Sequence, residues 1–502
     1  MKKFKLLLAA FVATLFAFVG GNAFADGATY SLTIKGTHVG HTYEAYQIFA
    51  GDISSDEKTL SNVKWGSDVT PFDYKGITEA DKIAEEISKP GKVDENNETK
   101  AAKDFSKLAG AHLTTTPHKV TSTETTTVIF GLAPGYYLVK DVDGSQTADP
   151  SKESEKATAY TRFIMQVVGN SEAQLKNNVP TVEKKVKENS NSEWQDAADY
   201  DMGDTVPFQL TAELPKKRVD DYNHYYVEFT DTLSAGLTFK EITKVTADGT
   251  TLTKDQYQVT TTEKDGKTVL SIVITDVKAV ADITQDENKV VVEYNATLNE
   301  NAVIGSAGNP NTVKLIYSNN PNYTGDGETS PHGETPEDTV IVFTYKVVVN
   351  KVDQNNKALP GAGFTLYKKV NGEWTTVKTI SAGDTTTFTF SGLDDGDYKL
   401  SETTTPNGYN TISDVEFTVT ADHDIESDSP ALNSLSGVVT TGELTFTPSI
   451  TDDSLTTDVV NKKGSVLPST GGMGTTILYV VGTVLVLAAG ILLVTKKRMD
   501  AK

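Results

Sequence analysis

Alternating apolar and polar side chains run through most of the chain. Stretches such as "YKVVVNKV" (345–352), "TTFTFSGL" (386–393) and "TVIVFTY" (339–345) put Val, Phe, Tyr and Thr at every second position. A period of two is that of a strand with one buried face. The strands are short and separated by Gly, Asp and Asn turns, which predicts β-sandwiches. Two stretches break the rule with helical spacing, both early. "TEADKIAEEIS" (78–88) opens with Thr78 and Asp81 placed as in a capping box and is followed by Pro90. "ETKAAKDFSKLAG" (98–110) ends on a glycine. The expected fold is mostly β: tandem immunoglobulin-like sandwiches, the first with a helical insertion.

Length and linkers divide this pattern. A mature chain of this size suits roughly three domains. Boundaries are expected at "NNVP" and after the Gly/Pro/Asn-rich loop "NNPNYTGDGETSPHGETPED". They give domains over 26–178, 179–344 and 345–463. "GLAPGYYLVKD" (131–141) and "GLDDGDYKLSE" (392–402) share G-L-x-x-G-x-Y, a weak repeat between the first and third.

Several polar residues fall on the apolar faces. In "PTVEKKV", Val182, Lys184 and Val186 share a face, while Lys185 points the other way as an ordinary surface lysine. Asp231 follows Tyr225, Val227 and Phe229 in parity, and Asn311 goes with Val313, Leu315 and Tyr317. The third domain repeats the set: Lys351 with Val347 and Val349, Glu402 with Tyr398 and Leu400, Asn461 with Val459. A buried lysine, carboxyl or amide is unfavourable unless such groups meet. Parity alone leaves two readings open. One is an ion pair with a hydrogen-bonded asparagine. The other is chemistry: burial lowers the lysine pKa and raises the acid's. A neutral amine can then attack an Asn carbonyl polarised by the acid, expel ammonia and leave an amide.

The ends carry their own signals. Residues 1–25 have a basic start, an apolar run and "AFA", predicting a secretory signal cleaved between Ala25 and Asp26. Leu467, Pro468, Ser469, Thr470 and Gly471 form an L-P-x-T-G pentapeptide. An apolar span over 475–495 and a basic tail follow it, and the whole terminal unit is 464–502. The pentapeptide alone is a weak signal; with the span and tail it resembles the sorting signal of Gram-positive surface proteins. That resemblance implies that a sortase cysteine attacks the Thr470 carbonyl and expels Gly471.

Composition narrows the function. Asp and Glu number 68 against 46 Lys and Arg, an excess that disfavours a nucleic-acid partner. With no cysteine there is no disulfide and no cysteine nucleophile, and no Ser/His/Asp set stands out. His38 and His41 read as strand and turn residues rather than a ligand pair. No cofactor or metal is expected.

"YKLSETTTPNGY" matches the Y-x-L-x-E-T-x-x-P-x-G-Y box of Gram-positive pilins, with Thr405 where Ala is usual. "PTVEKKV" and "GNPNTVKLIYSNNP" resemble the two ends of the isopeptide-forming domain of shaft subunits, and "HTYEAYQIF" their N-terminal domain. With both termini, the chain resembles the backbone (major) pilins of sortase-assembled pili. The resemblance implies a CnaA-like domain over 179–344 with a Lys184–Asn311 bond and Asp231 as its catalyst. It implies a CnaB-like domain over 345–463 with a Lys351–Asn461 bond and Glu402. Asn309 and Asn319 share the parity of Asn311. A third bond in the first domain would use Lys35 and Asp141, but Lys35 lies on the face opposite Leu32 and Ile34. The lysine joined to Thr470 of the next subunit is expected at Lys176 in "AQLKNN", where the family's proline is missing; Lys185 is the runner-up. Implied partners are a pilus-specific sortase, further copies head to tail, ancillary pilins and peptidoglycan. The implied location is the cell wall. A wall-anchored adhesin or minor pilin that binds a host protein and never polymerises is the competing class; a surface enzyme lacks a catalytic constellation.

Overall fold

The computed structural model describes residues 27–54, 58–92, 99–114, 117–145, 158–175, 178–215, 218–281, 288–464 and 474–499. Three β-sandwiches follow one another along the chain, each with its own apolar interior.

In the first, strands Thr126–Leu132, Tyr30–Lys35 and Ser171–Gln174 form a small sheet. It packs on a second sheet ordered Leu60–Trp65, Thr42–Ile53, Gly135–Asp141 and Arg162–Val167. Two helices cover the other side of that second sheet. Ala80–Ile87 buries Ala80, Ile83, Ala84 and Ile87, one stripe at helical spacing. Lys100–Ala109 buries Phe105 against Phe49 and Phe72, and the Thr99 hydroxyl accepts from the Ala102 amide at 3.2 Å. The first helix departs from the expected cap. Glu79, not Thr78, is its N-cap and makes no side-chain capping bond, so the chain enters one residue later than the Thr–Asp spacing suggests. His38 and His41 both lie in the turn between Tyr30–Lys35 and Thr42–Ile53, neither in a strand.

The second sandwich faces a six-stranded sheet against a seven-stranded one. Thr181–Lys187, Thr205–Glu213, Lys289–Leu298 and Leu237–Ala247 are successive neighbours in the first. Asp338–Phe343, Asn309–Ser318, Val227–Leu233 and Lys267–Ile274 are successive neighbours in the second. Inward side chains alternate along each, as in Val290, Val292, Tyr294 and Ala296, all fully buried.

In the third, Tyr345–Asp353 lies between Thr387–Leu393 and Ser454–Asn461, and its pairing with Ser454–Asn461 is parallel. The first and last strands of this sandwich are therefore hydrogen-bonded neighbours. The opposing sheet holds Gly363–Val370, Gly396–Thr404 and Val415–His423.

The sandwiches are docked, not merely strung together. Arg162 of the first donates to the carbonyls of Pro321 and Asp221 in the second, and Asn320 donates to Asp143. Ala197 of the second packs into the interior of the third. Beyond them, Gly474–Met499 is a single helix, and its Ile477–Met499 stretch is long and apolar enough to cross a membrane.

Candidate functional site: two buried lysine, carboxylate and asparagine sets

In the second sandwich the alternation carries Lys184 inward from one sheet and Asp231 and Asn311 inward from two adjacent strands of the other. All three are fully buried. Lys184 Nζ donates to Asp231 Oδ1 at 2.6 Å and to the Tyr294 hydroxyl at 3.1 Å. That hydroxyl donates to Asp231 Oδ2 at 2.5 Å and accepts from Asn311 Nδ2 at 2.6 Å. Tyr294 thus sits between the acid and the amide. Asn311 Oδ1 is buried with no hydrogen-bond partner among the described residues. Burial pushes the Lys184 pKa down, against the pull of Asp231. Burial, and then the Asp231 charge, pushes the Tyr294 hydroxyl up, so it stays protonated and able to donate.

Parity could not separate the three asparagines; their surroundings do. Asn309 is occupied: its Oδ1 accepts from the Val303 amide, and its Nδ2 donates to the carbonyls of Val303 and Val342. Asn319 lies one residue past the end of its strand. Asn311 alone of the three reaches the Lys184–Asp231 pair, through Tyr294.

The third sandwich arranges the same side chains differently. Lys351 and Asn461 come from the two parallel neighbouring strands of one sheet, with Lys351 paired to Val459 and Asp353 to Asn461. Glu402 reaches them from the facing sheet, and all three are buried. Lys351 Nζ donates to the carbonyls of Val352 and Val459, both at 3.0 Å. Burial pushes its pKa down, opposed by the charge of Glu402. Glu402 Oε2 accepts directly from Asn461 Nδ2 at 3.0 Å and from the Ile412 amide. Asn461 Oδ1 and Glu402 Oε1 are buried without partners among the described residues. An amide carbonyl left unpaired in a dry interior is unfavourable. Here one occurs in both sets, on the group a lysine amine would attack.

Other expected sites fare differently. Lys35 does not meet Asp141: its Nζ forms a surface ion pair with Glu172 at 2.6 Å, both largely exposed, while Asp141 is buried in the other sheet. Lys185 is not the free surface lysine its parity suggests. It pairs with Asp196 at 2.7 Å, and Asp196 accepts from the Ser427 amide of the third sandwich, so the outward face here is a junction. Lys176, Leu467, Pro468, Ser469, Thr470, Gly471, Ala25 and Asp26 lie outside the described residues. Tyr294 was missed by sequence reasoning; its signal was a hydroxyl on an inward position of "KVVVEYNATL", where a partner is required.

Residues 202–321 match the model of the Gram-positive pilin backbone subunit 2, Cna-B-like domain, where the resemblance of the sequence suggests the CnaA type. Residues 345–429 match the SpaA prealbumin-like fold domain, and 459–501 match the LPXTG cell wall anchor motif. The trypsin-resistant surface T6 protein of Streptococcus pyogenes serotype M6 is 24% identical over 367 residues, covering 59% of this chain and 65% of that relative. The solved T6 backbone pilin of the same organism aligns over 88% of this chain and all of its own, with 17% identity and a TM-score of 0.52. The full-length major pilin SpaD of Corynebacterium diphtheriae aligns over 88% of this chain and all of its own, at 18% identity and a TM-score of 0.46. One chain of tandem immunoglobulin-like sandwiches thus carries two domains that match Gram-positive pilin models and a segment that matches the LPXTG cell wall anchor motif, and it is similar to backbone pilins over most of its length.

Proposed function

We propose that this chain is joined head to tail by a pilus-specific sortase, between Thr470 of one subunit and Lys176 of the next. We further propose that each of its last two domains, 179–344 and 345–463, closes an internal amide: Lys184 to Asn311 and Lys351 to Asn461. The observation that carries the second part is the burial of a lysine beside a carboxylate–asparagine pair in both sandwiches. In each, the neutral Nζ attacks the Asn side-chain carbonyl carbon. The C–Nδ2 bond breaks, and ammonia leaves. The carboxyl group takes a proton from the attacking nitrogen and returns one to the departing nitrogen, so it ends as it began. Glu402 does this by direct contact with Asn461 Nδ2, and Asp231 does it through the Tyr294 hydroxyl. Such bonds suit a shaft that carries tension. In the third domain the bond joins first strand to last, and in the second it joins the two sheets.

Ancillary pilins and peptidoglycan are the remaining proposed partners. The test is an immunoblot of cell-wall extract. A ladder of covalent multimers, lost in Lys176→Ala while monomer stays wall-bound, supports the reading. A single anchored band in the wild type overturns it in favour of the adhesin.

A further inference from the structure

Lys184 is held at two points. Its side chain meets Asp231 and Tyr294 across the interior, and its backbone is held by a residue of the opposite sheet. The Lys184 N–H donates to Asp338 Oδ2 at 2.6 Å, and Asp338 Oδ1 accepts from the Thr339 amide at 3.0 Å. Thr181–Lys187 belongs to the six-stranded sheet and Asp338–Phe343 to the seven-stranded one, so the Lys184–Asp338 bond crosses between sheets. It falls at a gap in the strand's cover. Trp194–Gln195 pairs with the outer edge of Thr181–Lys187 at Val186 and Lys187 and ends before Lys184.

The acid that holds the lysine's backbone rides on the strand beside the asparagine. Asp338 is paired in register with Val313, and Val340 with Asn311. One hydrogen bond therefore ties the lysine strand to the neighbour of the asparagine strand, at the seam where the two sheets meet. The third sandwich has a different solution. There the Lys351 N–H donates to the carbonyl of Thr386 at 2.7 Å, and Lys351 and Asn461 lie on adjacent strands of one sheet, whose ladder sets their spacing at about 4.7–4.9 Å. In the second sandwich the two come from facing sheets, which pack about 10 Å apart with no ladder between them. Burial pushes the Asp338 pKa up, and the bond from the Lys184 amide is the largest influence opposing that rise. At Lys184 Nζ the pull of Asp231 exceeds that of Asp338, so the hold of Asp338 is on the backbone more than on the charge of the amine.

We propose that Asp338 is a positioning residue for the Lys184–Asn311 bond: it clamps the lysine strand at the seam and so keeps Nζ within reach of the Asn311 side-chain carbon while the bond closes. The clamp rests on the internal amide proposed above. Asp338 exchanges no proton in that chemistry, which stays with Lys184, Asp231, Tyr294 and Asn311. Its contribution is distance. A displacement of about 1 Å between reacting groups can slow a reaction on the order of 100-fold, and a lysine strand free to drift along the seam is displaced in that way.

The test samples the full chain at intervals after expression and maps linked and unlinked Lys184 and Lys351 peptides, with circular dichroism of the same samples as a record of folding. Asp338→Ala is expected to close the Lys184–Asn311 bond roughly tenfold or more slowly than the wild type at unchanged strand content, while Lys351–Asn461 closes on time. Asp338→Ser, too short to reach the amide, is expected to behave alike and stands in should the alanine variant not fold. Asp338→Asn keeps the acceptor and drops the charge, and is expected to restore the wild-type rate. Folded Asp338→Ala or Asp338→Ser closing as fast as the wild type overturns the clamp alone, because a merely structural acid lowers the folded fraction without slowing closure. Asp338→Asn as slow as Asp338→Ala overturns it too. A wild type in which Lys184 stays unlinked overturns the internal bond itself, and the clamp with it.

Discussion

Lys184 Nζ lies 2.6 Å from Asp231 Oδ1 across the interior of the second sandwich, and neither side chain has any exposure. A fully buried amine is tolerated there only while something answers its charge, or once it is neutral or has become an amide. Asp231→Ala removes the answer and, in the proposed chemistry, the catalyst. The variant is expected to be heavier than its mature parent by one ammonia, after allowing for the substitution. It should also lose about 3–5 kcal/mol of stability, the cost of leaving one partner of a buried pair alone. Intact mass spectrometry and denaturant unfolding check both. A mature wild type that weighs the same as its sequence would sink the internal bonds altogether.

Tyr294 separates the two sets. It stands between Asp231 and Asn311, whereas Glu402 touches Asn461 without an intermediary. Tyr294→Phe is therefore expected to slow closure in the second domain and leave the third untouched. Peptide mapping over time after expression would find unlinked Lys184 peptide accumulating beside fully linked Lys351–Asn461. Equal linkage of both at the earliest time point would remove Tyr294 from the chemistry and leave it a packing residue.

What was legible in the chain is what a period of two can carry. Alternation assigns each residue to a face, so Lys184, Lys351, Asp231 and Glu402 stand out as inward polar groups from the chain alone. Alternation says nothing about which inward residues meet. Asn309 and Asn311 have equal parity, and only the backbone of Val303 and Val342, which occupies Asn309, tells them apart. Nor does it say what lies outside a face. Lys185 points outward as read, but outward at that strand is the third sandwich. Tyr294 reads as one more core aromatic, because tyrosine on a buried face is ordinary. Thr78 and Asp81 have capping spacing, yet the helix begins a residue later, a boundary that local spacing does not settle.

Asp453 supplies a pH dependence. It has no exposure, its Oδ2 accepts from the Gly305 amide of the second sandwich at 3.1 Å, and burial pushes its pKa up to about 6. The folded chain thus holds a proton that the unfolded chain releases near pH 4. Stability from this group falls as pH rises from about 4 to about 6 and stays reduced above. Asp453→Asn keeps the acceptor for Gly305 and suits the local φ of +46°. It is expected to stabilise the protein at pH 8 by on the order of 2 kcal/mol, a gain that fades towards pH 4. Urea melts at the two pH values decide it; an identical gain at both would mean that the charge is not the cause.

The remaining prediction concerns force. In the proposed shaft, where Lys176 of one subunit is joined to Thr470 of another, tension would run between those residues and the first sandwich, held by polar contacts such as Arg162 to Pro321, would lie outside the path. The two proposed bonds take 184–311 and 351–461 out of what can be drawn out. About 57 residues remain, in 176–184, 311–351 and 461–470, or roughly 190–205 Å against about 970–1,060 Å for an unbonded chain. Most of that reserve is in 311–351. It includes the strand Asp338–Phe343, which pairs antiparallel with Asn309–Ser318 and parallel with the short Ala197–Asp199. Peeling is expected to begin there, once the junction with the third sandwich gives way, since Ala197 and the residues after Phe343 share its interior. Glu402→Ala should release about 110 further residues, on the order of 360–400 Å, in a separate step from the third sandwich. Single-molecule pulling between residues 176 and 470 measures both lengths. Extension of the wild type to its full contour would rule out the bonded architecture, and a Glu402→Ala trace no longer than wild type would rule out the bond in the third domain alone.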